Sequence, residues 1–497
     1  MEIHLVRGSV SELLGANTDV LDRDAESLSA DARRVQDIRT LAHRAVGELQ
    51  AGWNGSELMR LTQQWEQQAS PLLAGASASL DICAAQLRAQ SAAQRLTSSN
   101  GGGTSPTTPM PMTSPAPPPT RGSPADNAAW WRSLSAQQQG QVIREHPDWI
   151  GNRDGISFTD RDLANRALLT VDRDRLVTEK ERLEADLADN WSGGALTNDD
   201  AALDQVRDKV ASIDGIEALL ASPGERQLLL LDMGHERAQA AIANGNVETA
   251  DNVAVFVPGM TSNVTDTLKD YDKEMSQIQQ RAQMESWRAH PAQAATTATV
   301  TWIGYQTPEW GLDLLNPDRS VASDTTAKSG AAQLVPFLRG IGAARDQDAH
   351  LTLLGHSYGS TTAGLALQQE TGVDDVVFFG SPGLGTNHVQ DLKLAPGHAY
   401  YIEARQDPVG DLGILGIDPS HMGGIEHASA RESTVVDPVT GETRHFKEVT
   451  GHSSYLVDNS TSQYNMSVVV AGMPDRRVYN SGEGIGDVLS WPIPGTY

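Results

Sequence analysis

The sequence predicts an α/β protein: a mostly parallel sheet covered by helices on both faces, preceded by a separate α-helical hairpin. Three observations carry this. Short apolar runs alternate with longer helical segments from about residue 226 onward, the pattern of a parallel sheet with crossover helices. Residues 35–87 repeat apolar side chains at steps of three and four. Between these regions, residues 97–125 read TSSNGGGTSPTTPMPMTSPAPPPTRGSPA, a composition that cannot fill a core.

Four segments follow: a helical hairpin over 1–96, a disordered Pro/Gly/Ser/Thr linker over 97–125, a helical extension over 126–225 and an α/β domain over 226–497. In the first, Val35, Ile38, Leu41, Val46 and Leu49 share a face, and so do Leu58, Leu61, Trp65, Ala69, Leu72, Ala76, Leu80, Cys83 and Leu87. Gly52-Trp53-Asn54-Gly55 separates the two runs as a tight helix-to-helix turn. A lone hairpin leaves its apolar stripe uncovered, so residues 1–96 are expected to meet a helical protein partner, a second copy or the rest of the chain. Leu176, Leu183 and Leu187 share a face in the third segment, as do Leu203, Val206, Val210, Ile213, Ile216 and Leu219.

Strands are expected at Arg226–Met233, Ala238–Ile242, Val253–Val257, Ala298–Ile303, His350–Leu354, Val373–Phe379 and Ala399–Glu403. Asn244-Gly245-Asn246 reads as a hairpin turn, with antiparallel strands at one edge of the sheet. Helices fill 263–288, 323–340 and 358–370.

Bulk composition narrows the function. Acidic side chains number 64 against 38 basic ones, for a net charge of −26. Such a surface repels phosphate backbones, so no nucleic acid is expected as a partner. The single cysteine, Cys83, excludes an internal disulfide and a cysteine metal cage. No HExxH, no paired His-Cys pattern and no P-loop occurs, so no metal and no cofactor are expected. The N-terminus carries no basic-then-apolar leader, and no apolar run reaches membrane-spanning length. The expectation is a cytoplasmic protein with no integral membrane segment.

The chemistry concentrates in LTLLGHSYGSTTAGLAL, residues 351–367. A strand runs into Gly355-His356-Ser357-Tyr358-Gly359, and a helix follows. A serine between two glycines at that junction can stand clear of the backbone on a tight turn, with a helix N-terminus beside it. This is the pattern of a nucleophile elbow. A serine needs a base, and the base needs an acid, in the chain order serine, acid, histidine. Asp407, in the loop after the strand of HAYYIEARQDPVGD, is the expected acid, with Asp411 as runner-up. Asp374 and Asp375 precede their strand and fall at the wrong end of the sheet. His452, in the Gly-rich loop after a strand at Arg444–Val449, is the expected base, with His421, His427 and His445 as competitors. The oxyanion donors expected are the backbone N–H of Tyr358 and that of Met260 or Thr261, in the loop of VAVFVPGMTSNV. Trp302, Tyr305 and Trp310 are assigned to the substrate cleft. Leu412, Ile414 and Leu415 join them from a Gly-rich apolar loop over 410–424 that reads as a lid or acyl pocket.

Several stretches together resemble an actinobacterial group of α/β hydrolases long filed as a domain of unknown function. They are AWWRSLSAQQQGQVIREHPDWIGNRDGI, VFVPGM, WIGYQTP, GHSYGS, DDVVFFGSPGLG, EARQDPVG and GHSSYLV, spread over roughly 130–475. The resemblance implies the α/β-hydrolase fold, a helical extension beside it, and a triad of Ser357, Asp407 and His452. It implies no settled substrate. Trp53-Asn54-Gly55 between two helical runs resembles the WXG-type hairpins of type VII secretion, which would make export an alternative to the cytoplasm. The tyrosine-containing export tag of that family is not seen, since no tyrosine precedes Tyr271. The expected activity is a serine hydrolase acting on small-molecule or lipid esters. An amidase or peptidase on the same triad, or a secretion-associated binding protein, are the alternatives.

Overall fold

The computed structural model describes residues 115–189, 198–308, 324–409, 415–437, 439 and 441–479, with scattered positions between 22 and 84. The chain divides into two units, Met1–Thr113 and Ser114–Tyr497. In the first, the described residues are helical. Arg39 Nε donates to Ser70 Oγ at 2.9 Å, and Ser77 Oγ donates to the Ala32 carbonyl at 3.0 Å. Moving back from 39 to 32 on one side moves forward from 70 to 77 on the other, the sense of antiparallel helices. The Trp53-Asn54-Gly55 bend and Cys83 lie outside the described residues.

The second unit starts earlier than the composition suggested. Helix α1, Pro124–Ser133, begins inside the stretch read as linker. Ser123 caps it: Ser123 Oγ accepts from Asp126 N, and Asp126 Oδ2 accepts from Ser123 N, a capping box with proline at the first turn. Upstream, the Ala116 carbonyl accepts from Trp130 Nε1 at 3.0 Å and the Pro119 carbonyl from Arg153 at 2.9 Å. Proline-rich backbone lacks donors, but its carbonyls are good acceptors, and here they anchor it. Residues 97–114, the remainder of the expected linker, lie outside the described residues.

Helix α2 spans Ala136–Glu145. Helices α3, Phe158–Asp189, and α4, Asn198–Leu220, pack together through Leu169, Leu176 and Leu183 against Leu203, Val206, Ile213, Ile216 and Leu219. The same cluster includes Leu228, Leu231, Ala240 and Ile242, so the pair rests on the sheet's first edge.

Eight strands form the main sheet: β1 Arg226–Asp232, β2 Gln239–Asn244, β3 Asn252–Val257, β4 Thr297–Ile303, β5 His350–His356, β6 Asp375–Phe379, β7 Ala399–Ile402 and β8 Glu426–Ala428. Their order is β1-β2-β4-β3-β5-β6-β7-β8. β2 runs antiparallel to both β1 and β4, and every later pairing is parallel. β3 sits in the middle and is buried along its whole length. Val253, Val255 and Val257 face helices α6, Thr325–Ala344, and α7, Tyr358–Leu367. Ala254 and Phe256 face helices α5, Leu268–Ala289, and α8, Thr461–Val470. Period-two alternation between two covered faces explains why such a strand reads as a continuous apolar run.

Two expectations change. The edge hairpin exists, but residues 233–238 close it, whereas Asn244-Gly245-Asn246 leads out of β2 toward β3, which is not its neighbour. Gly245, at φ +84°, donates to the Glu225 carbonyl and so ends the β1–β2 ladder. The strand expected before His452 is shorter, β10 Thr443–Phe446, and it pairs with β9 Ser433–Val436 in a separate two-stranded sheet. Among the described residues no helix is long and apolar enough to cross a membrane.

Candidate active site

The junction of β5 and α7 is a sharp turn at Ser357, with φ 53° and ψ −131°. A side chain in that region is strained and persists only where its surroundings fix it. Here they do. Ser357 N donates to the Phe379 carbonyl at 3.1 Å, and Ser360 N donates to the Ser357 carbonyl at 2.9 Å. The flanking glycines are required by space. A Cβ on Gly359 would lie 2.2 Å from the Val257 carbonyl oxygen, and one on Gly355 would lie 2.9 Å from the Ser360 Cα.

Two loops from the carboxyl ends of strands meet at this serine. Asp407 follows β7, after Gln406 at φ 61°. His452 follows β10, after Gly451 at φ 73°. A bridge between Arg405 and Thr450, with Gly451 N donating to the Arg405 carbonyl at 2.8 Å, ties these two loops together. The result is a continuous line: Ser357 Oγ lies 2.8 Å from His452 Nε2, and His452 Nδ1 lies 3.0 and 3.1 Å from the two oxygens of Asp407. Such a line can draw the hydroxyl proton to the imidazole and steady the cation that forms.

Asp407 is buried, which by itself raises its carboxyl pKa. Hydrogen bonds from His452 and Tyr455 outweigh that and hold it below the usual carboxylate range. Tyr455 OH donates to Asp407 Oδ2 at 2.6 Å and accepts from Ala404 N at 2.9 Å, while Val409 N donates to Oδ1 at 2.9 Å. Gly380, at φ +56°, closes the floor: a Cβ there would lie 2.8 Å from Asp407 Oδ2 and 3.2 Å from His452 Cε1. His356 stacks between Phe379 and His452 and reaches the His452 carbonyl from Nε2 at 2.9 Å.

The other candidates separate clearly. Asp375 sits at the far end of the sheet, bridging His350 Nε2 and His398 Nδ1 at 2.7 Å each. His421 contacts Asp418, His445 contacts Thr434, and His427 lies on β8. Asp411, Trp310, Leu412 and Ile414 lie outside the described residues. In the loop after β3, Gly259 packs directly on Ser357, where a Cβ would come within 2.6 Å of the serine Cβ. Thr261 N is already donated to the Pro308 carbonyl at 2.7 Å. Met260 is partly buried against the core beside it.

Trp302 and Tyr305 are not cleft residues. They are 1% and 2% exposed and stack on each other beneath α6, because both faces of β4 are covered. Tyr305 instead donates its hydroxyl to the Pro258 carbonyl at 3.0 Å and braces the loop that carries Met260. Leu415 is also buried, with its backbone bonded to Pro382 and Gly385. Sequence reasoning missed Tyr455, His356 and Gly380 as site residues. Each sits within a quoted motif, but only the fold brings them to Ser357, Asp407 and His452.

The profile described as "Alpha/beta hydrolase" matches residues 234–417. An uncharacterized protein of Mycobacterium tuberculosis is 32% identical over 242 residues, covering 47% of this chain and 88% of the relative. The chain belongs to the alpha/beta hydrolase family. A second uncharacterized protein of the same organism is 30% identical over 313 residues, covering 60% of this hydrolase and 45% of that relative. Among solved structures, an esterase of Pyrobaculum calidifontis matches 60% of the hydrolase and 97% of its own chain, at 11% identity and a TM-score of 0.31. An arylesterase matches 59% and 97%, at 12% identity and a TM-score of 0.30.

Proposed function

We propose that this hydrolase cleaves carboxylic esters by a serine mechanism. The observation that carries the reading is the unbroken hydrogen-bonded line from Ser357 through His452 to Asp407. In the proposed cycle, Ser357 Oγ attacks the ester carbonyl while His452 Nε2 takes its proton. Asp407 stabilises the resulting imidazolium. The oxyanion is met by the backbone N–H of Tyr358, the first residue of α7, and by that of Met260. His452 returns the proton to the departing alkoxide. Water, activated by the same histidine, then releases the acid from the acyl-enzyme.

Of the two donors considered in the loop after β3, Met260 is preferred because the Thr261 N–H is committed to Pro308. A fluorophosphonate probe tests the reading directly. It should label the wild-type chain and leave Ser357→Ala and His452→Ala unlabelled, and a panel of esters of graded acyl length should then show turnover. Labelling that survives in Ser357→Ala would sink the assignment.

A further inference from the structure

The loop that carries His452 is open on the side of Gly451. Gly451 precedes the base at φ +73°, with no atom within 4 Å of where a Cβ would stand, and the His452 side chain is 26% exposed. Asp407 holds the ring at Nδ1 and Ser357 Oγ meets it at Nε2, but both bonds lie in the ring plane and leave its faces to other contacts.

His356 supplies one of those contacts. Its Nε2 faces a carbonyl oxygen, which can only accept, so Nε2 carries the hydrogen and donates it to His452. Its ring lies 4.9 Å from the His452 ring, tilted 29°, and 5.1 Å from the Phe379 ring, tilted 19°. The residue next to the nucleophile therefore pins both the backbone and the face of the base. Phe379 in turn accepts from Ser357 N, so the stack and the elbow share one support.

Resting on the ester-hydrolase reading above, we propose that His356 is a positioning residue: it sets the distance between Ser357 Oγ and His452 Nε2 by pinning the His452 carbonyl and stacking on its ring. Two facing imidazoles also raise a question of charge, because His452 becomes a cation during turnover. Withdrawal from water, reinforced by the neighbouring His452, pushes the His356 pKa down to about 4. At neutral pH His356 is thus an uncharged plate against the imidazolium. The charged and titratable groups around it are Asp407, His452 and the Tyr455 hydroxyl.

The test uses the full chain and two variants. His356→Phe keeps a stacked ring and removes the donor, and His356→Gln keeps a donor of similar reach and removes the ring. With an ester substrate, His356→Phe should lower kcat by roughly 10- to 100-fold, with little change in KM, and slow fluorophosphonate labelling to match. His356→Gln should recover most of that loss. The NMR signal of the His452 Nδ1 proton, which needs no substrate, should broaden in His356→Phe and persist in His356→Gln. Wild-type kcat and an unaltered Nδ1 signal in His356→Phe would overturn the proposal. So would equal losses in both variants that merely track a lowered melting temperature. Labelling that persists in Ser357→Ala overturns the ester reading instead, and the Nδ1 signal alone then decides the role of His356.

Discussion

The hydroxyl of Tyr455 lies 2.6 Å from Asp407 Oδ2, three residues beyond the histidine that the same carboxylate orients. One short loop therefore supplies both the group that Asp407 steadies and a group that steadies Asp407. Tyr455→Phe should remove that donor and leave the buried Ala404 N–H without its acceptor. Urea unfolding at pH 7 should show a loss of about 1–3 kcal/mol. Because Asp407 is held below its ordinary pKa, it contributes stability above the unfolded value, and that contribution disappears as pH falls through the folded one. The gap between wild type and variant should accordingly narrow in acid.

Gly259→Ala places a methyl 2.6 Å from the Ser357 Cβ, at the loop proposed to carry the second oxyanion donor. The loop must retreat from the serine. Ester turnover should fall by roughly 10²-fold or more, with a much smaller change in melting temperature. A drop in stability that accounts for the whole loss of rate would remove the loop from the mechanism.

A chain of buried hydroxyls underlies the elbow. Gly383 N donates to Ser381 Oγ at 3.1 Å, and Ser381 and Ser360 are 2.6 Å apart. Ser360 Oγ reaches the Ser357 carbonyl at 2.5 Å. With a single proton on Ser360 committed to that carbonyl, Ser381 must donate to Ser360. Ser381→Ala breaks the chain at its centre and strands the Gly383 N–H. Denaturant melts should report a loss of about 1–3 kcal/mol.

At the opposite end of the sheet, Asp375 binds His350 and His398. Burial lowers the His350 pKa, but the bond and charge of Asp375, with Asp374 behind it, raise it above the ordinary histidine value overall. The sign follows from that direction. The stabilisation is complete below the unfolded pKa of about 6.5 and is lost as pH rises through the folded one. The excess melting temperature of wild type over His350→Gln should be largest near pH 6 and shrink toward pH 9. An excess that grows with pH would contradict this account.

Much of this site was legible because its signals are local. A serine framed by Gly355 and Gly359 at a strand end needs no partner to be recognised, and chain order with strand ends selected Asp407 and His452 from their competitors. Trp302 and Tyr305 misled because an aromatic residue near a strand end looks the same whether it lines a cleft or a core. Only the coverage of β4 on both faces decides. The short strand β8 and the pairing of β9 with β10 carry little apolar periodicity and left no comparable trace. Tyr455 and His356 were invisible as site residues because their partners lie 48 and 96 residues away.

The spacing of Ser357, Asp407 and His452 along the chain also orders events during synthesis. Ser357 and His452 are separated by 95 residues, and the histidine arrives only after every strand of the main sheet has been made. Domains form from the N-terminus as the chain emerges. A nascent chain can thus make every strand of the main sheet before His452, the partner of Ser357, has been synthesised. The pairing of Ser357 with His452 is made last, by the loop between β10 and α8, and a chain cut just before residue 450 would lack both His452 and the helix α8 that covers one face of the sheet.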